Sequence, residues 1–528
     1  MSSLPKLSKS KIIAILSARF KDGFKSLKEI PNPFEFHDME RASKRIALAI
    51  KKREKIAIVG DYDVDGVISI ALMEEFFETI NYPVKIVIPN RFNDGYGISK
   101  NILKRIEADV IITVDNGITA FEAANICKNS GIDLIITDHH APLTKLPEAF
   151  AIINPKKPEC SFSYPDICGA QIAWFLIGAL KSKLGLSIRM VDFLDLLALA
   201  IVADIMPLIS INRPLVQRGL KMISNSKRPA FEVVRRYLKK SDFSAEDISY
   251  ALAPRINSAG RMKDASFALR FLRSKSLDEA YSNWLILDNF NQLRKDVEAK
   301  IVKSAISMIN PKDPIIVVAK DGWHEGIIGI VAARLVELFK KPAIVLAIKG
   351  DRAKGSGRSV GDVDLFKLID RCKDYLDGFG GHKMAAGLSL EAKKIDLFKD
   401  EICKEVLKLP PQSFLPKEQI IGELPMSEID WELMEILSRF EPYGEANIRP
   451  KFLIKNLNVV DVMAIGAKKN HLKFTLTDGD SLLQAVQFGF DRMVDANQKV
   501  NAIGTLQINE FNNQKSIQFH IDKIEPIC

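Results

Sequence analysis

Short apolar runs that end in acids set the pattern of the first half of this chain. Residues 56–59 (IAIV) lead through Gly60 into Asp61, Asp63 and Asp65. Residues 110–117 (VIITVDNG) end on Asp115 and a Gly turn, and residues 133–140 (DLIITDHH) end on Asp138, His139 and His140. Continuous runs of Ile, Val and Thr bounded by turn residues predict strands buried on both faces. Helical patterns separate them, and that alternation predicts a parallel α/β sheet. Ligands of such sheets gather beyond the carboxyl ends of the strands, which is where these acids fall. Asp61, Asp63 and Asp65 alternate, so in an extended segment their side chains share one face. A longer apolar run, residues 196–208 (LLALAIVADIMPL), is broken by Asp204, and an acid inside such a run needs a partner.

Further along, residues 264–310 carry helix-spaced Leu, Ile, Phe and Val, with no Gly or Pro before Pro311. They predict a long helical connection, either spanning two lobes or built into the core of the first. A second α/β unit opens with the strand 315–319 (IIVVA) and a Gly-punctuated helix in GWHEGIIGIVAARLVELF. A strand at 343–348 (AIVLAI) follows, then an expected turn, GDRAKGSGRS, and a Gly-rich turn around His382 in GFGGHKMAAGLSL. After residue 408, LPPQSFLP reads as a linker. The alternation in LKFTLTD, LLQAVQFGF, VNAIGTLQINE and KSIQFHIDKIE then predicts the short strands of a small barrel.

Composition narrows the class. A length of 528 residues implies more than one domain, and 47% hydrophobic with 27% charged content suffices for sizeable cores. Cys127, Cys160, Cys168, Cys372, Cys403 and Cys528 include no CxxC pair, which argues for a reducing compartment and against a zinc site or disulfide framework. The apolar run near the N-terminus is too short for a signal peptide. The longest uncharged stretch, residues 167–180, is 14 residues long and contains Gln171, as in a buried helix rather than a membrane span. The expectation is a soluble intracellular protein. Of the net charge of +9, +8 lies in residues 211–240, where nine Lys/Arg stand against Glu232 alone. That stretch reads either as a solvated helical face or as a surface that tracks phosphates.

Clustered carboxylates at one sheet edge are costly unless a cation lies between them. Hard oxygen ligands with imidazole suit Mg²⁺ or Mn²⁺, and this number of acids suits two ions. For residues 61–65 alone, the competing reading is a solvated acidic turn that caps the next helix. In the second unit, Gly-rich turns let backbone N–H groups approach an anion. Ser356, Arg358 and Ser359, with Gly380, Gly381 and His382, suit a phosphate, Arg through its bidentate fork.

In order, DYDVDG, VDNG, TDHH and VADIMPL resemble the four motifs of the DHH phosphoesterase superfamily. The aspartate-first opening motif resembles its RecJ branch, the single-strand-specific 5′→3′ DNA exonucleases. PNRFNDGYG (89–97), APRINSAGRM (253–262), WHEGIIGIVAARL (323–335), GSGRSV (355–360) and GGHKMAAGL (380–388) carry the resemblance across nearly the whole chain. Two positions depart from the pattern: Ala200 and Ile201 replace a Gly-Thr, and Ile211 stands where an acid often precedes Asn-Arg.

The resemblance implies an α/β protein in four parts. These are a parallel-sheet DHH catalytic domain (1–215), a basic and helical connecting region (216–310), a smaller α/β DHH-associated substrate-binding domain (311–408) and an OB-like β-barrel (409–528). It implies two divalent cations, Mn²⁺ or Mg²⁺, held by Asp61, Asp63, Asp65, Asp115, His139, His140 and Asp204. Asp115 is the candidate bridge between them, His140 is either a ligand or a donor to phosphate, and Asp138 orients an imidazole. Asp115, His139 and His140 are the implied catalytic set. Arg91, Arg255, Asn257, Arg261 and His324 join the second-unit residues as implied substrate contacts. The implied activity is release of 5′ mononucleotides from single-stranded DNA in repair and recombination. The setting is a cytoplasmic monomer without membrane contact, with a single-strand-binding protein and a helicase as candidate partners. Residues 411–528 carry 12 Lys/Arg against 16 Asp/Glu, so DNA contact there is expected to be local, with partner binding or packing as the competing role. Alternative activities are a phosphodiesterase for oligoribonucleotides or cyclic dinucleotides, and a non-catalytic scaffold in a replication complex.

Overall fold

A computed structural model of the chain describes residues 4–415, 420–466, 469–490, 494–511 and 514–527; Pro416 of the expected linker and Cys528 lie outside them. In the first lobe, β1 (Ile56–Val59), β2 (Lys85–Val87), β3 (Val110–Val114), β4 (Asp133–Thr137) and β5 (Ala151–Ile153) form a parallel sheet in the order β2-β1-β3-β4-β5. The strand order reverses beside β1, where sheets of this kind open a crevice. Alternate residues face opposite layers. Ile58, Ile112 and Ile135 pack with the helices Val64–Thr79, Gly169–Leu184 and Leu194–Ala203, while Ala57, Ile111 and Ile136 pack with Ile102 and Ala123. With both faces covered, β1 reads as an unbroken apolar run.

Two of the acid-bearing segments depart from the strand-then-acid pattern. Residues 194–203 form a helix, so Asp204 stands at a helix C-terminus. Leu and Ala dominate that run, both are good helix formers, and burial on all sides leaves no period to read. Likewise β1 stops at Val59, and the three acids do not alternate along an extended segment. Asp63 caps the helix Val64–Thr79 and Asp65 lies in its first turn. The turn does cap a helix, but it is not solvated, because Asp61 and Asp65 are buried.

The basic stretch 211–240 forms the helices Asn212–Asn225 and Pro229–Leu238 and turns Arg213, Arg228 and Arg235 inward, while its other six Lys/Arg are exposed. Arg228 pairs with Glu75 at 2.8 Å and Asp195 at 3.2 Å. Arg213 and Arg235 donate to backbone carbonyls, of Arg439 and of Ile223 and Ser226. Arg236 pairs with Glu232 and Lys240 with Asp247.

Residues 264–310 hold two helices, Ser266–Leu272 and Leu277–Ile306, split where Ser276 caps the second. The second has 30 residues, about 45 Å at the usual rise. Its Trp284 and Leu287 belong to the core of the first lobe, and its Ile301 and Ala305 to the second. Both expected roles are therefore combined in one helix.

In the second lobe, β6 (Ile316–Asp321), β7 (Ala343–Lys349), β8 (Arg352–Arg358), β9 (Gly378–His382) and β10 (Ala385–Glu391) are ordered β6-β7-β8-β10-β9, with only β6 and β7 parallel. The expected turn GDRAKGSGRS shrinks to Gly350 and Asp351, and all but Ser359 of the rest is β8. Glycines suit β8 because its neighbours fill their side-chain space. A Cβ on Gly355 would lie 2.7 Å from Leu346 and 2.9 Å from Leu388. Gly380, Gly381 and His382 end the edge strand β9 rather than forming a turn.

β11 (Ile420–Glu423), β12 (Lys451–Ile465), β13 (His471–Thr477), β14 (Leu482–Phe488), β15 (Lys499–Phe511) and β16 (Gln514–Pro526) close into a barrel through β12–β15 pairing. Its core includes Leu7, Ile12, Leu16 and Phe20 from the start of the chain, and Lys6 bridges to Glu423. The segment before β12 also grips the first lobe: the Glu445 carbonyl accepts from the Leu208 N–H at 2.8 Å, and the Arg439 carbonyl accepts from Arg213 at 2.7 Å. Among the described residues, no helix is long and apolar enough to cross a membrane.

Candidate metal centre and the arginines that face it

The acids converge because four separate chain turns meet at the crevice beside β1. Asp63 accepts from Gly66 N–H at 3.2 Å as a helix cap. Asp65 accepts from Gly169 N–H (2.5 Å) and Ala170 N–H (2.9 Å), buried amides at another helix start that have no partner within the helix. Asp115 has φ +62°, a left-handed conformation unusual for a residue with a side chain. The structure around it holds it there. Tyr96 Oη donates to the Asp115 carbonyl at 3.0 Å. The buried Asn116 amide donates to Val59 and Val114 carbonyls and accepts from Ile98 N–H. Gly169 lies so close that a Cβ there would be 2.5 Å from the Asp115 Cβ.

His139 Nε2 points into the cluster, 3.2 Å from Asp115 Oδ1, 3.6 Å from Asp204 Oδ2 and 3.8 Å from Asp65 Oδ2. Three sets offer ligand atoms within 4.8 Å of one another: Asp61–Asp63–Asp115, Asp65–His139–Asp204 and Asp115–His139–His140. Asp115 and His139 each belong to two sets. Asp138 lies behind them, with Oδ1 2.7 Å from His140 Nδ1 and Oδ2 accepting from Ile118 N–H. Burial works to raise the Asp138 pKa, but the His140 hydrogen bond and these N–H donors bring it below the usual value. Asp138 therefore stays an acceptor, and His140 donates through Nδ1 with its Nε2 turned elsewhere.

The remaining carboxylates are strained electrostatically. Burial, and then the charge of Asp63, holds Asp61 well above the ordinary range and lifts Asp65 to about 6. Burial, and then Asp65, holds Asp115 well up and lifts Asp204 to about 9. Asp61 Oδ1, Asp115 Oδ1 and Asp204 Oδ2 are buried and accept no hydrogen bond. Burial lowers His139 to about 3, which leaves its ring neutral. Unsatisfied carboxylate oxygens and a neutral imidazole are the donor set that Mn²⁺ or Mg²⁺ takes. The residues present fit such cations.

Opposite the acids stand cations of the protein itself. Arg91 lies 4.0 Å over the Tyr62 ring, and Phe92 meets the His324 ring edge-on at 5.4 Å. Arg261 is lowered to about 10 by burial and by the nearby charge of Arg91, Arg358 and Arg294, while Asp63 works the other way. Arg261 donates to the Gly326 carbonyl in the second lobe. Arg358 donates to Ser356 Oγ at 3.2 Å. The helix Ala253–Met262 thus ties the lobes together, and its Asn257 accepts from Val64 N–H beside the acids at 3.3 Å.

Three family models match the chain: the DHH family N-terminal domain over residues 55–201, the DHHA1 domain over 292–408 and the RecJ OB domain over 420–523. The single-stranded-DNA-specific exonuclease RecJ of Escherichia coli (strain K12) is 33% identical over 526 residues, which cover 93% of this chain and 90% of the relative. The chain belongs to the RecJ family. A relative of the same description from Bacillus subtilis (strain 168) is 35% identical over 506 residues, 93% of this chain and 64% of the relative's own length. The crystal structure of RecJ in complex with Mn²⁺ from Thermus thermophilus shares the fold, with a TM-score of 0.84 at 24% identity over 99% of this chain and 79% of that one.

Not every residue marked by the RecJ pattern reaches the crevice. Arg255 pairs with Asp288 at 2.8 Å and lies over Trp284, away from the acids. Ser359 is buried, with its hydroxyl donated to the Val363 carbonyl. Gly380, Gly381 and His382 lie exposed on the edge of the second sheet. Sequence reasoning passed over Tyr62, Tyr96, Asn116 and Arg294, and the Gly169 and Ala170 amides. Tyr62, Tyr96 and Asn116 lie inside RecJ-like motifs and were open to view. Arg294 sits mid-helix with no local signal.

Proposed function

We propose that this chain is a divalent-cation-dependent exonuclease of single-stranded DNA that releases 5′ mononucleotides in the 5′→3′ direction. The observation that carries this reading is the opposition of two charged sets. Buried, unsatisfied carboxylates call for cations, and Arg91, Arg261 and Arg358 across the crevice call for phosphate. Asp61, Asp63, Asp65, Asp115, His139 and Asp204 hold the cations, with Asp115 and His139 shared between sets. When bound, two divalent cations neutralise the charge of the phosphate and activate water at neutral pH. Asp138 fixes the His140 ring, which would give a proton to a phosphate oxygen or join the ligands. The Tyr62 ring steadies the Arg91 guanidinium.

Polarity comes from the second lobe. A terminal phosphate carries more charge than an internal diester, so Arg358 with Ser356 favours the 5′ phosphate. The scissile bond then lies one nucleotide inward. The retained acids and histidines weigh against a non-catalytic scaffold, and the C-terminal barrel weighs against a small-dinucleotide phosphodiesterase. The setting is DNA repair and recombination in the cytoplasm, with a single-strand-binding protein and a helicase as partners.

The test uses single strands labelled at either end, beside a circular strand, with Mn²⁺ or Mg²⁺. The 5′ label is expected to appear at once as mononucleotide, the 3′ label to stay on a shrinking strand, and the circle to persist. Digestion of the circle, or shortening from the 3′ end, overturns the polarity.

A further inference from the structure

A cleft of about 1010 Å³ opens on the first lobe at the end remote from the acids. Glu75 and Glu78 on its wall close the helix Val64–Thr79, whose first turn carries Asp65. The ten residues from Asp65 to Glu75 span about 15 Å of helix. Asp195, also on the wall, opens the helix Leu194–Ala203 that leads to Asp204.

The acids of this cleft are paired, and part of its bases are not. Glu75 meets Arg228 at 2.8 Å and Arg273 at 2.7 Å, and Asp195 meets Arg228 at 3.2 Å. Glu78 meets Lys275 at 2.9 Å, and Asp192 lies 3.6 Å from Arg189. Arg218, Lys221 and Lys227 remain, on the helix Asn212–Asn225 and just after it, exposed and without an acid partner among the described residues. Half of the six exposed Lys/Arg of the basic stretch therefore face one concavity, whose walls focus their field. Met222 and Pro229 place half-buried apolar surface between the charges. Among the described residues, no aromatic side chain lines the cleft.

We propose that this cleft docks an extended, carboxylate-rich segment of a partner protein. A nucleic-acid strand fits it poorly. Its bases find nothing to stack on, and the wall acids oppose a phosphate at every nucleotide. An acidic polypeptide answers each feature of the wall. Its carboxylates reach the three free cations, its backbone N–H groups face the wall acids, and an aliphatic side chain among its acids covers Met222 and Pro229. Docking here leaves the crevice between the lobes open, so partner and DNA are held at the same time. The docking site stands whether or not the chain is an exonuclease.

The test is fluorescence anisotropy with the full-length protein and a short fluorescein-labelled peptide of alternating Asp and Glu interrupted by two Leu. Binding should saturate and should weaken as salt rises. Replacing Arg218, Lys221 and Lys227 together by Gln should weaken it about tenfold, the size expected of three exposed charge pairs. The Tm should stay unchanged, because all three side chains are exposed. Replacing Arg236, Lys239 and Lys240, which lie outside the cleft, should leave the peptide bound as in the wild type. An oligothymidylate strand should not displace the peptide. The proposal falls if the peptide does not bind, or if the cleft variant binds it as tightly as the wild type does. It falls if both variants lose it equally, or if oligothymidylate displaces it, which makes the cleft a nucleic-acid surface. It falls as well if the wild type self-associates at low salt and the peptide dissolves the assembly, since the occupant is then a second copy of this chain.

Discussion

The acids around β1 and β3 and the basic stretch 211–240 are both charge clusters, yet they treat their charge in opposite ways. In the first, Asp61, Asp115 and Asp204 keep buried oxygens that accept nothing. In the second, Arg228 sits between two carboxylates, Arg213 and Arg235 cap backbone carbonyls, and Arg236 and Lys240 have acid partners. An exposed or paired charge is ordinary, whereas a buried charge without a partner is held at a cost that something must offset. Charge density along a sequence therefore says little about ligands. The state of satisfaction says much more.

The sharpest break in this contrast is Asp115→Asn, which removes the carboxylate common to two ligand sets. Hydrolysis of single-stranded DNA should fall by at least about a thousandfold, roughly 4 kcal/mol of barrier, while the metal-free protein melts no lower than the wild type. Near-normal turnover would remove Asp115 from the centre. Next comes Arg228→Met, which strips buried Asp195 of its cation and leaves Glu75 to Arg273 alone. Chemical denaturation should show a loss of about 3–5 kcal/mol, with turnover per folded molecule kept. A loss below about 1 kcal/mol would mean that the inward pairing carries little stability.

A smaller effect follows from pH. Asp65, lifted to about 6, and Asp204, lifted to about 9, bind protons in the folded state that the unfolded chain releases near pH 4. Their contribution is present at low pH and is lost as pH rises through the folded values. With chelator, the Tm should decline from pH 5 to 9, and excess Mn²⁺ should flatten the decline. A metal-free Tm that climbs over this range contradicts the electrostatic account. The smallest effect is expected from replacing Arg218, Lys221 and Lys227 together by Gln. The slope of log affinity against log salt should move by less than the ~0.7 of one single-strand phosphate contact. A loss near three times that value would restore the phosphate-tracking reading.

Legibility followed locality. β1, β3 and β4 were readable because β-branched runs with turn boundaries have one interpretation, and Asp115, Asp138, His139 and His140 follow them directly. The helix Leu194–Ala203 was not readable as such, since burial on every side erases the helical period. β8 was hidden for another reason: GSGR reads as a turn until Leu346 and Leu388 are seen to occupy the space its glycines leave.

The packing of Leu7, Ile12, Leu16 and Phe20 into the barrel core has a consequence for synthesis. They leave the ribosome more than 400 residues before their partners on β12 to β16. At roughly 5–20 residues per second, the gap is on the order of 20–80 s. Through that interval the leading segment travels with its apolar side chains uncovered, a ready target for chaperones. The barrel cannot close until β16 has emerged to join β14 to β15.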